Sequence, residues 1–217
     1  EVLLVNHILH HVNNLDSFFS TMRHLMTSNG VAVFEVPDYT RELESLDYTS
    51  FFDEHVNYFT RDTFQYLLAT YGFEIIDFYV HPYPIEDSII AITQRTDNPP
   101  SPMPKAILQQ ELERFETYKK NFEPLKQKIK QYLLEYKQNI GPIALYGAGH
   151  HASSFIHFFE LAKVISFVAD DNSNKQGMLM PGSQVPILHP DQLLRRGIKL
   201  CILRYLPFIF RIKIFKK

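Results

Sequence analysis

Pro142 to Ala152, PIALYGAGHHA, reads as a short buried strand, a glycine turn and the opening of a helix. Gly147, Gly149 and Ala152 stand in GxGxxA spacing. Glycines at such positions admit backbone that other residues avoid and let amides at a helix N-terminus approach a phosphate. A glycine turn chosen only for tight strand-to-helix packing would carry the same letters. The next apolar run, VISFVADD, ends on Asp170 and Asp171. They fall about twenty residues after the glycines, where a dinucleotide fold places its ribose-binding acid. Residues 140–217 are therefore expected to form a Rossmann-like α/β domain.

Working outward, residues 105–139 are strongly helical, with Leu108, Leu112, Phe115, Phe122, Ile129 and Leu133 at helical intervals and Pro124 set to break or kink the run. Ahead of them DNPPSPMP, residues 97–104, holds four of the 13 prolines and marks a boundary. Three segments follow: an α/β part over 1–96, a proline-rich linker with a helical connector over 97–139, and the domain over 140–217.

In the first segment Val2 to Val5 has the look of a central parallel strand buried on both faces. Asn6, His7, His10 and His11 follow at its carboxyl end, where open α/β sheets bind ligands. The histidines raise a metal reading, set aside because no Asp, Glu or Cys lies at a ligand interval beside them. Asp16 is expected to cap a helix over SFFSTMRHLMT, with Phe18, Phe19, Met22, Leu25 and Met26 on its apolar face. VAVFEV is a second buried strand stopped by Pro37, with Glu35 at its solvated rim. Thr60 caps a helix running to Tyr71 and closed by Gly72. FEIIDFYVH and SIIAITQ then make an antiparallel pair.

Between these elements lies FFDEHVNYFT, Phe51 to Thr60, in which two carboxylates and an imidazole sit among four aromatics. A carboxylate beside a histidine can orient the ring and raise its basicity for proton transfer. A solvated surface turn flanked by core aromatics would look the same.

The chain of 217 residues is 45% hydrophobic and 21% charged, with a net charge of -2, which gives no pull toward nucleic acid. One cysteine, Cys201, excludes an intrachain disulfide and a cysteine-built zinc site. No signal peptide or membrane-length apolar run is visible, so a cytoplasmic location without a membrane partner is expected. The chain opens on Glu1 already inside a strand, which suggests a piece of something longer.

Three stretches together resemble the sugar-nucleotide C-methyltransferase family: NHILHHVNNLDSFF, then GVAVFEVPD with DEHVNYFT, then IALYGAGHHA with VADDNSNKQGMLMPGSQVPIL. The resemblance implies an α/β fold made of the C-terminal half of a class I methyltransferase sheet, a helical connector and a second Rossmann-like α/β domain. It implies S-adenosylmethionine as cofactor and a keto-sugar nucleotide as substrate. His55 would be the base, Glu54 would orient it, and His11 would line the acceptor pocket. Asn6 and His7 would face the cofactor; Phe52, Tyr58, Gly147, Gly149, His150 and Asp170 would face the substrate. No metal ligand is implied in this chain. The family pattern has tyrosine where this chain has Phe52. The glycine-rich cofactor loop and the strands that carry it are not in this sequence, and RYLPFIFRIKIFKK departs from the helix the family places after KLCIL. Two further readings stay open: a nucleotide-binding module without chemistry, and an NAD-dependent oxidoreductase resting on GxGxxA and Asp170 alone.

Overall fold

The computed structural model describes residues 2–83, 86–98, 100–203 and 211–213, the last three by their backbone alone. Contacts divide the chain into two compact units, Glu1–Ser45 with Phe52–Tyr118, and Leu46–Phe51 with Lys119–Lys217. The boundary thus cuts the FFDEHVNYFT stretch after Phe51 and takes the six residues before it into the second unit.

The first unit is built on a four-stranded sheet of order β1-β2-β4-β3, formed by β1 (Val2–Asn6), β2 (Val31–Asp38), β3 (Phe73–His81) and β4 (Asp87–Arg95). β1 runs parallel to β2, and β4 pairs antiparallel with both β2 and β3. β1 is not the central strand its apolar run suggested. Among the described residues it is an edge, with Val5 buried while Val2 and Leu4 are 60% and 72% exposed. Alternation of side chains puts only one of its faces on the core. Pro37 does not stop β2, which pairs through Pro37 and Asp38 with Ser88 and Asp87.

Helix α1 (Leu15–Leu25) is capped by Asn14, whose side chain accepts from the Ser17 amide at 2.9 Å. Asp16, expected as the cap, sits inside the first turn and accepts from the Tyr71 hydroxyl. The helix begins earlier because Asn14 already offers the oxygen that the first turn requires. Phe19, Met22 and Met26 are buried as expected, and Leu25 is not. A short helix, α2 (Thr40–Glu44), follows β2. Helix α3 (Arg61–Thr70) carries the expected Thr60 cap, reciprocated by Thr63, and ends at Gly72 with φ 76°. Phe19 of α1 and Phe64 and Leu68 of α3 join Phe34, Phe73 and Ile89 of the sheet in one core cluster.

Helix α4 (Lys105–Asn139) runs unbroken through Pro124, so the expected break does not occur. The second unit centres on β5 (Ile143–Tyr146), flanked in parallel by β6 (Ile165–Ala169) and β8 (Leu200–Leu203). A two-residue β7 (Ile187–Leu188) adds in parallel to β6, and β9 (Arg211–Lys213) adds antiparallel to β8. The rest of the C-terminal RYLPFIFRIKIFKK segment lies outside the described residues. Helix α5 (His150–Phe158) leaves the glycine turn and α6 (Gln192–Arg195) precedes β8. Ala144, Phe167, Ala169 and Cys201 pack in the core of this unit.

Cys201 is 2% exposed, and burial pushes its thiol up to about 11. At pH 8 the folded thiol is ionised to about 0.1%, against about a quarter for an ordinary thiol. A thiol reagent should therefore modify the folded chain on the order of 100-fold more slowly than the chain unfolded in denaturant. Equal rates would show that the β5–β8 core is open in solution.

Candidate functional site

The carboxyl end of β1 leads into a 3-10 turn, Leu9–His11, whose Leu9 is fully buried in the core and whose His10 is 3% exposed. The chain reaches it through His7, a non-glycine residue at φ 49°, in the left-handed region where side chains crowd the backbone. The Phe52–Thr60 loop closes onto this turn. The amides of Val56 and Asn57 both donate to the His10 carbonyl, at 2.9 and 3.1 Å. The Asn57 side-chain amide donates to the carbonyls of Val12 at 2.8 Å and Leu9 at 3.3 Å. Residues forty or more positions apart are thereby held side by side.

The closure assembles three imidazoles. His10 and His11 have ring centroids 4.1 Å apart, His10 and His55 4.3 Å, and His11 and His55 4.9 Å. Their nitrogens form a group whose ligand atoms lie within 4.8 Å of one another. Local spacing had argued against a metal reading. That argument saw only His7, His10 and His11, whereas the third imidazole comes from His55 on a distant loop. His7 is turned aside, with Nε2 3.4 Å from the Glu35 carboxylate, which also accepts from the Ser88 hydroxyl.

The proton positions follow from the partners. A carbonyl only accepts, so His11 Nδ1 must carry the proton it shares with the Glu54 carbonyl at 2.8 Å. In the neutral ring this leaves the lone pair on Nε2. His55 Nδ1 lies 3.2 Å from the Tyr39 hydroxyl. Burial, with smaller contributions from Glu86, Tyr58, Glu42 and Tyr118, pushes that phenol up, so it stays protonated. His10 is pushed down to about 3 by burial first and then by His55, His11 and His7, and is a neutral imidazole at physiological pH. Its Nδ1 is buried and has no hydrogen-bond partner among the described residues.

Glu54 is exposed, and its backbone carbonyl accepts from His11. Tyr39, just after β2, hydrogen bonds to His55. Sequence reading placed His10 at the carboxyl end of β1 without a role and missed Tyr39, which nothing short of the loop closure singles out. Phe52 stacks on His55 with centroids 4.9 Å apart and planes inclined by 29°. Tyr58 donates its hydroxyl to the Phe52 carbonyl at 3.1 Å and packs edge-on against Tyr39. Asn6 is exposed at the end of β1.

In the second unit the glycine turn is held by a carboxylate of its own. Gly147 has φ 94°, and its amide donates to the Ala169 carbonyl at 2.7 Å. Asp170 accepts from the amides of Ala148 at 2.6 Å and Asn172 at 2.8 Å. Burial pushes the Asp170 carboxyl up, but these amides and Lys175 outweigh it and hold the group below the usual range. A side chain built on Gly147 or Gly149 would meet nothing within 4 Å, so the turn is open. His150 is turned toward the Phe51 carbonyl and the Ser154 hydroxyl. His151 Nδ1 lies 3.0 Å from the Thr49 carbonyl. These contacts explain why Leu46–Phe51 belongs to this unit. Gly147, Gly149, His150 and Asp170 lie in the second unit, and the other expected site residues in the first.

Residues 103–217 match a family model described as the C-methyltransferase C-terminal domain. The chain belongs to the C-methyltransferase family. Residues 1–77 match a methyltransferase domain, in agreement with the mixed α/β sheet of the first unit. Among curated proteins, this C-methyltransferase family member is similar to C-methyltransferase NovU of Streptomyces niveus, 23% identical over 193 residues. The match covers 84% of this chain and 46% of NovU, so the chain spans about half the length of that relative. No helix among the described residues is long and apolar enough to cross a membrane.

Asn57 is the residue on which the loop closure turns. Asn57→Ala should lower stability by about 1–3 kcal/mol, because two carbonyls near the core lose their donor. Denaturant unfolding reads this loss, and histidine ring resonances should shift with it. Unchanged resonances would mean the backbone amides of Val56 and Asn57 hold the turn alone.

Proposed function

We propose that this chain supplies the acceptor side of an S-adenosylmethionine-dependent C-methyltransferase that acts on a keto-sugar nucleotide, with His55 as the base. The observation that carries the reading is the pairing of His55 and His11 across 4.9 Å, with the His11 Nδ1 proton committed to the Glu54 carbonyl. That arrangement leaves the lone pair of the neutral His11 ring on Nε2, beside the His55 ring, so His11 can accept a hydrogen bond while His55 removes a proton alpha to a ketone. Tyr39 steadies the His55 ring, Phe52 covers one face of it, and Tyr58 fixes the Phe52 backbone. The enolate so formed is the carbon nucleophile of the reaction. S-adenosylmethionine supplies the methyl group.

The residues present do not make a complete site for that cofactor. The glycines of the first unit are Gly30, just before β2, and Gly72, after α3, so these residues carry no glycine-rich loop. Asn6 and His7 offer polar groups at the carboxyl end of β1 and would form one wall. A second reading is a nucleotide-binding module in which the glycine turn holds a nucleotide and no chemistry occurs. Open space over Gly147 and Gly149 supports a nucleotide at that turn under either reading.

The test joins this chain to the amino-terminal half of a related C-methyltransferase and supplies a keto-sugar nucleotide. His55→Ala should lower methyl transfer by about 10²–10⁴-fold. Deuterium exchange of the sugar's alpha proton, followed by NMR, should fall with it. Exchange that persists at the original rate would remove His55 from the role of base. Phe52→Tyr restores a hydroxyl beside the ring, and if it reaches the enolate oxygen kcat should rise by up to about 10²-fold.

A further inference from the structure

We infer that Glu35 is a positioning residue: it fixes His7 as a hydrogen-bond acceptor for an O–H or N–H group of the ligand bound at the carboxyl end of β1. The inference rests on the proposed function for what that ligand is, a cofactor or a nucleotide sugar. How His7 is held is a matter of geometry. Glu35, expected at a solvated rim, has a side chain only 18% exposed. Its carboxylate accepts from the Ser88 hydroxyl at 2.8 Å, and Ser88 is itself buried. The same oxygen stands 3.4 Å from His7 Nε2. His7 is tied to Glu35 a second time, through its amide, which donates to the Glu35 carbonyl at 3.0 Å.

Such restraint has a cause in the backbone. His7 is a non-glycine residue at φ 49°, a costly conformation that persists only where the surroundings over-determine it, as they do at ligand sites. The double attachment also sets the ring. A carboxylate carries lone pairs alone and would repel an unprotonated nitrogen, so the proton of the neutral ring sits on Nε2 and Nδ1 keeps its lone pair. The side chain is 44% exposed, so a ligand can reach the ring. It stands edge-on to His10, with centroids 5.9 Å apart and planes inclined by 82°, and His10 in turn lies 4.3 Å from His55. His7 is thus one ring removed from the proposed base, at the strand end where open α/β sheets bind ligands. It accepts from hydroxyl or amino groups of a ligand and leaves the removal of the carbon-bound proton to His55.

Ring-nitrogen NMR of this chain reads the tautomer directly. At mildly alkaline pH His7 should show a protonated Nε2 and an unprotonated Nδ1. Glu35→Gln keeps the shape and removes the charge, so the ring should populate both tautomers and its two nitrogen resonances should move toward each other. Glu86→Gln, at the other carboxyl that acts on His7, should leave them in place. A protonated Nδ1 in the unmodified chain, or the same tautomer in Glu35→Gln, would overturn the positioning. The ligand is tested on the joined protein described above, by calorimetric titration with S-adenosylmethionine and with the keto-sugar nucleotide separately, without turnover. Glu35→Gln and His7→Phe should each weaken one of the two by about 3–10-fold, the worth of one neutral hydrogen bond, and leave the other unchanged. A loss for S-adenosylmethionine puts the donor on the cofactor, and a loss for the nucleotide sugar puts it on the acceptor. No loss for either would overturn the contact. An unmodified joined protein that fails to bind the nucleotide sugar would count against the proposed function instead, and the tautomer result is independent of it.

Discussion

The His10 carbonyl accepts two amides, from Val56 and Asn57, and that junction holds the arrangement of the first unit's polar end. Everything chemical in the unit depends on it. β1 and its 3-10 turn place His10 and His11; the loop after α2 places His55; neither segment is long enough to bring its own partner. A pair of backbone hydrogen bonds is worth only about 1–3 kcal/mol net, so the closure needs the core beneath it. Leu9, fully buried between the two histidine-bearing ends, and Phe59, buried at the end of the loop, provide that base. Phe59 also anchors the loop to β2, where its carbonyl accepts from the Tyr39 amide at 2.8 Å. Tyr39 is thereby aimed at His55.

His10 shares a crowded space with two other imidazoles. Like charges at these separations repel strongly away from bulk water, and His10 cannot recover its hydration. His10, pushed down to about 3 by burial and then by its neighbours, therefore enters the cluster as a neutral ring.

Much of this was legible in the letters. The glycine turn, the Thr60 cap, the β3–β4 pairing and the long helix all follow from local rules of turn chemistry and periodicity, and the structure has them. FFDEHVNYFT stood out because its charges and aromatics had no local explanation. What local reading could not see is where non-adjacent segments meet. Glu54 stood out because it precedes His55, whereas the hydrogen bond from Tyr39 to His55 joins residues sixteen positions apart and has no local signature. β1 looked central because its run is apolar, but the run does not say how many strands lie beside it. The cap at Asn14 rather than Asp16 is an error of two residues, from choosing between two residue types that cap equally well.

The second unit sharpens what its glycine turn can accept. The spacing suggested amides waiting for a phosphate, but the Ala148 amide already holds the Asp170 carboxylate. An incoming phosphate would meet that negative charge, which Lys175 at 3.7 Å offsets only in part. A carboxylate has about four acceptor positions, and two of them are taken by amides. The remaining ones suit a donor, such as a ribose hydroxyl, better than an anion. For the nucleotide proposed above, the open space over Gly147 and Gly149 would suit the sugar better than the phosphates.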